Sequence, residues 1–245
     1  MTQAANLIVF LSFLSFVGAE EITDIEKYRA EAVKKWEKEI QKLEALNQEE
    51  THPEHSILFV GSSSIRKWEQ ISEDMAPYHP IRRGFGGSRF SDLAIYADRL
   101  ITPHKFRAVV LFVGNDISGK ENDKTPAEVA KLFSYFHARI REHNATAPVF
   151  YIGVTPTAAR ASCWNEAKAA NTAIREICLK TRDTYFIGTE SIFLDSEGNS
   201  RTELFINDRL HLNETGYQLW AAAIKSHLDS VFNGANQATS DPGAL

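Results

Sequence analysis

From residue 56 onward, short apolar runs alternate with longer stretches in which apolar residues recur every three or four positions. The runs at 56–60, 80–83, 108–113, 149–154 and 185–188 are of strand length and sit between polar or turn-forming residues, so they read as strands buried on both faces. Helical periodicity fills 88–100, 126–143 and 164–181, and another helix over 214–232 closes the pattern. Regular alternation of strand and helix predicts βα units, and hence a three-layer α/β/α sandwich around a five-stranded parallel sheet.

The flanks behave differently. Residues 6–17 form an apolar run too short to span a bilayer comfortably, and Val17-Gly18-Ala19 places small residues before Glu20. Residues 1–19 therefore read as a signal peptide, which predicts a periplasmic or secreted protein with no stable membrane span after cleavage. Residues 20–55 hold an amphipathic helix over 24–48, with Ile25, Tyr28, Trp36, Ile40 and Leu43 on one stripe, followed by a polar linker containing Pro53. The stripe suits a helix packed across the main body. The body itself is expected over 56–232, and the small, polar residues 233–245 are expected to be a disordered tail.

Composition narrows the function. With 245 residues, 43% of them apolar, the chain can bury one large core. A formal charge of -5 argues against sequence-independent nucleic-acid binding, which needs clustered Lys and Arg to displace counterions. Cys163 and Cys178 are the only cysteines, too few for a disulfide scaffold or a thiolate zinc site. His52 and His55 lie in a polar linker without an evident third ligand, so they read as a solvated loop and not a metal site.

Reactive groups in an open parallel sheet gather beyond the carboxyl ends of its strands. The first three strands deliver Gly61-Ser62-Ser63-Ser64, Gly84-Phe85-Gly86-Gly87-Ser88 and Val113-Gly114-Asn115-Asp116, and Asp208-Arg209-Leu210-His211 stands just before the last helix. A serine at a strand-to-helix turn is ordinarily a helix cap, and an isolated Asp-x-x-His is ordinarily a surface turn. Together they supply a hydroxyl, an imidazole to take its proton, and a carboxylate to fix the imidazole's tautomer. Residue chemistry alone does not separate Ser63 from Ser62. Arg82 and Arg83 could meet an anionic substrate or make structural ion pairs, and Trp68, Phe85 and Trp164 could wall a pocket or fill the core.

In these four blocks the chain resembles the SGNH hydrolases, the GDSL-type esterase superfamily, over roughly residues 56–228. The resemblance implies a flavodoxin-like SGNH hydrolase fold, with Ser63 as nucleophile, His211 as base and Asp208 as its orienting carboxylate. It also implies an oxyanion hole formed by Ser63, Gly87 and Asn115. Two positions depart from the family pattern: Ser62 stands where the Gly-Asp-Ser motif has Asp, and Val113 replaces the first Gly of Gly-x-Asn-Asp. Neither departure removes a proton donor or acceptor of the mechanism, but hydrogen bonding around the nucleophile must differ. The implied activity is cofactor-free hydrolysis of a short acyl ester, acetyl above all, on a small molecule or carbohydrate. Lysophospholipase or thioesterase chemistry on the same fold is the alternative, as is a non-catalytic carbohydrate-binding or interaction module.

Overall fold

The computed structural model describes residues 25–239, with side chains as far as Asn233. The expected signal peptide lies outside the described residues. Five parallel strands, β1 (Ile57–Gly61), β2 (Pro80–Gly84), β3 (Ala108–Phe112), β4 (Val149–Ile152) and β5 (Thr184–Ile187), form one sheet in the order β2-β1-β3-β4-β5. The order reverses between β1 and β3, and in such sheets that switch point opens a crevice at the strand ends.

Alternation along each strand divides the core. Leu58, Val60, Val109, Leu111, Val149 and Tyr151 face one side of the sheet, while Ile57, Phe59, Val110, Phe112, Phe150 and Ile152 face the other. The first side packs against α1 (Arg29–Glu49), α4 (Phe90–Ile95), α5 (Ala97–Ile101), α6 (Pro126–His143) and α7 (Trp164–Lys180). The second is covered by the short helices α2 (Ser63–Arg66), α3 (Ile71–Asp74) and α8 (Glu190–Phe193) and by the long α9 (Glu214–Thr239). Local chemistry sets several boundaries. Thr125 caps α6 through its hydroxyl, Glu128 reaches back to the Thr125 amide, and Pro126 occupies the first turn, where an N–H is dispensable.

Helix α1 packs across the body on the predicted stripe, burying Ala32, Trp36 and Ile40. Ionic contacts hold it there: Arg99 meets Glu37 at 2.9 Å and Glu44 at 2.6 Å, and the buried Arg83 meets Glu50 at 2.9 Å and Asn47 at 2.9 Å. Arg82 donates to the carbonyls of Arg66 and Trp68. Both arginines thus make structural contacts.

Two expectations need correction. The single helix expected over 88–100 breaks at Tyr96, whose backbone leaves the helical region while its hydroxyl reaches Glu37 on α1 at 3.2 Å. Long-range packing overrides the local period there. The helix expected over 214–232 runs on through Thr239 as α9. Both cysteines are free and buried. No helix among the described residues is long and apolar enough to cross a membrane.

Candidate active site

The carboxyl end of β1 passes into α2 through the single residue Ser62. A side chain on Gly61 would meet the Phe112 carbonyl oxygen at 2.0 Å, so only glycine lets β1 approach β3 this closely. Beyond it Ser62 donates its amide to the Phe112 carbonyl and accepts from the amides of Ile65 and Arg66, which makes it the backbone cap of α2. Ser63 is the first residue of that helix. An amide in this position has no intrahelical acceptor, so its N–H is available to a ligand.

A loop from the far end of the chain meets this turn. The strand-like contact between Phe205 and Leu212 closes its neck, the Ile206 amide donates to the His211 carbonyl at 2.9 Å, and Arg209 takes a left-handed conformation at its tip. Asp208 is fixed inside the loop. One carboxylate oxygen accepts the amides of Leu210 and His211 at 2.9 Å each, and the other lies 2.6 Å from Nδ1 of His211. Partial burial pushes the Asp208 carboxyl up, but bonds from the His211 ring and the two amides outweigh it and hold the pKa near about 2. The ionised carboxylate accepts only, so Nδ1 carries the ring proton and Nε2 is the acceptor. Nε2 lies 2.9 Å from the Ser63 hydroxyl oxygen. Tyr217, stacked on Trp68, donates to the Ser64 carbonyl at 2.8 Å and ties the start of α9 to the serine turn.

Asn115 approaches from the end of β3. Its Nδ2 donates to the Ser88 carbonyl at 3.1 Å, joining the asparagine block to the glycine loop. Beside it, Asp116 is buried, accepts the Phe90 amide at 2.9 Å and lies 3.9 Å from the Lys124 ammonium. Burial raises its pKa to about 6. Gly87 adopts φ +71°, open to glycine at little cost, and packs beside Trp36 of α1.

Ser63, Asn115, His211, Phe112, Trp220 and Arg160 are among the residues lining one cleft, whose cavity volume is about 30 Å³. The site residues expected from sequence therefore converge, with Asp208 immediately behind His211. Gly87 is the exception. It does not line the cleft, although its neighbour Ser88 bonds to Asn115. Of the candidate pocket aromatics, Trp68 and Phe85 are core residues and Trp164 packs against the core.

Sequence reasoning overlooks Arg160, Thr155 and Thr157, which line the cleft after β4. The usable signal is their place at the carboxyl end of a strand. Among the described residues, no group of three His, Cys, Asp or Glu is placed to hold a metal.

The α/β sandwich thus brings a serine, an imidazole and a carboxylate together at the switch point of its sheet. The chain belongs to the GDSL-like Lipase/Acylhydrolase family, whose sequence model matches residues 56–219. It is accordingly a carboxylic ester hydrolase. Comparison with curated protein sequences gives no significant match. Among solved structures, a Streptococcus pneumonia protein named for platelet activating factor is 18% identical with a TM-score of 0.70, over 84% of this chain and 99% of that one. A GDSL-like lipase from Bacteroides thetaiotaomicron is 16% identical with a TM-score of 0.64, over 78% and 98%. An acetyl xylan esterase is 20% identical with a TM-score of 0.59, over 70% and 98%. At these identities the likeness is one of fold.

Proposed function

We propose that the protein is an exported serine esterase that removes short acyl groups, acetyl in particular, through an acyl-enzyme. One observation carries the reading: His211 lies 2.9 Å from the Ser63 hydroxyl on one side of its ring and 2.6 Å from Asp208 on the other. That is the spacing at which an imidazole can take a proton while a carboxylate stabilises the cation formed.

In the first half-reaction Ser63 Oγ attacks the acyl carbon as its proton passes to Nε2 of His211. The carbonyl oxygen becomes an oxyanion, received by the amide of Ser63 and by Nδ2 of Asn115, which both line the cleft. Collapse breaks the bond to the alcohol, which leaves with the proton from His211. Water, deprotonated by the same nitrogen, then attacks the acyl-enzyme and frees the acid and Ser63. No cofactor enters any step.

The short acyl group and the carbohydrate alcohol both rest on the resemblance to SGNH hydrolases and on likeness to an acetyl xylan esterase. Export rests on the apolar run at 6–17, and the proposed boundaries are a signal peptide over 1–19, an appended helix and linker over 20–55 and a catalytic body over 56–232. The test is hydrolysis of p-nitrophenyl esters of graded length, and of acetylated xylan, by the native chain and S63A. Acetyl ester turnover lost in S63A, falling steeply with chain length in the native enzyme, is expected. Equal rates in the two proteins would remove the serine mechanism, and a preference for long chains would remove the acetyl assignment.

A further inference from the structure

Arg160 is a cation at the candidate site that the steps above do not use. It lies in the 3-10 stretch Ala158–Cys163 and is the one residue there with non-helical backbone angles. Its backbone is held on both sides: its amide donates to the Thr157 carbonyl at 3.1 Å, and its carbonyl accepts from Cys163 Sγ at 3.4 Å. The preceding amide, of Ala159, donates to the Arg209 carbonyl at 3.2 Å, so this turn is fastened to the loop that carries Asp208 and His211.

From this anchored position the guanidinium reaches the asparagine block. Nη2 donates to Oδ1 of Asn115 at 2.6 Å, and Nη1 donates to the Gly114 carbonyl. These contacts determine which way the Asn115 amide faces. A guanidinium only donates, so the atom beside it must be the oxygen. The Ser88 carbonyl only accepts, so the atom beside it must be the nitrogen. Asn115 is thereby held at both ends of its amide dipole, and one Nδ2 proton remains unused.

We propose that Arg160 is a positioning residue that clamps the Asn115 amide and polarises it toward a developing oxyanion, an inference that rests on the reading of Asn115 as an oxyanion donor. Orientation is one half of the effect, because a donor stabilises charge only if it is aimed before the charge appears. Charge is the other. A cation on Oδ1 draws electron density along the amide and makes Nδ2–H a stronger donor. The Arg160 guanidinium makes its hydrogen bonds to amide oxygens, while Asp123 and Asp116 act on it only from a distance.

The test is a double-mutant cycle on p-nitrophenyl acetate hydrolysis, using the native chain, R160M, N115A and R160M/N115A, with R160K as a second variant. Circular dichroism and melting identify the folded variants. Removing an oxyanion donor costs about 10²–10³ in kcat, so N115A is expected to fall by that much. R160M should lose about tenfold or more in kcat with KM within about twofold, a split that marks an effect on the transition state. R160K should fall between R160M and the native enzyme. R160M should change kcat by less than about twofold once Asn115 is absent, because the donor it positions is gone. Should R160M fail to fold, R160K in the same cycle carries the same expectation at smaller amplitude. An unchanged kcat in R160M, or in R160K where R160M does not fold, beside an impaired N115A overturns the Arg160 role alone. So does an undiminished Arg160 effect in the N115A background. An N115A enzyme with native kcat overturns the oxyanion reading of Asn115 and the Arg160 role with it.

Discussion

Replacing Asp208 with Asn isolates the tautomer that the proposed relay requires. In the native site the carboxylate receives the Nδ1 proton of His211 over 2.6 Å and the amide protons of Leu210 and His211 over 2.9 Å each. An asparagine can keep both amide bonds through its carbonyl oxygen. Its NH₂ group then faces Nδ1, which must become an acceptor, and the ring proton moves to Nε2. There it faces the Ser63 hydroxyl across 2.9 Å and cannot accept the proton that attack must release. The corresponding change in a serine protease lowers turnover about ten-thousand-fold, equivalent to about 5.4 kcal/mol at 1.36 kcal/mol per decade. Folding stability should change far less, because the Asp208 side chain is 41% exposed and water screens its interaction with His211. The assay is kcat for p-nitrophenyl acetate beside the melting temperature of each protein. D208N is expected to lose about three to four decades of turnover with little change in melting. A folded D208N enzyme within about tenfold of native turnover would refute the tautomer reasoning.

Two further expectations follow from groups around the cleft. Trp36 is buried, packs edge-on to Phe85 at 5.3 Å and lies beside Gly87, so W36A should lose about 3–5 kcal/mol in urea unfolding. W36F should lose less, and equal losses would contradict a packing role for the full indole. Burial raises the folded-state pKa of Asp116 to about 6, so the native protein keeps a proton that the unfolded chain releases near pH 4. The Asp116 contribution to stability is thus present in acid and declines as pH rises through about 4 to 6, by about 3 kcal/mol. D116N, neutral throughout, should gain on the native protein by that amount between about pH 4 and 7 in paired denaturation curves. Parallel profiles would contradict the buried carboxyl.

Strands β1, β3 and β4 were legible because each is a short apolar run, a pattern that burial on both faces imposes, whereas β2 carries Arg82 and Arg83 and β5 is half-buried at Tyr185 and Phe186. The start of α6 was legible for a local reason too, since its cap, proline and reciprocal glutamate lie within four consecutive residues. Helices α2 and α3, of four residues each, are too short to show a period. The break at Tyr96 depends on Glu37, 59 residues away, and no window of local sequence contains both. The same distinction runs through the site. Ser63, Asn115, Asp208 and His211 each sit in a compact block that signals a strand end or a tight turn. Arg160 meets Asn115 from 45 residues away, in a stretch whose alanines and threonines announce no chemistry. Applying the strand-end rule to β4 as well as to the first three strands points to that loop. Gly87 was legible as a loop glycine, but its packing beside Trp36 belongs to the tertiary structure.

The proposed relay is tested most directly by locating the acyl group on the enzyme. The native chain is mixed with p-nitrophenyl acetate, quenched in acid within the first turnover, digested and mapped by mass spectrometry. The proposed mechanism predicts one acetyl group on Ser63, none on Ser62 or Ser64, and greatly reduced labelling in H211Q. Acetylation of a different residue on the path to product, or rapid turnover by folded S63A, would contradict it.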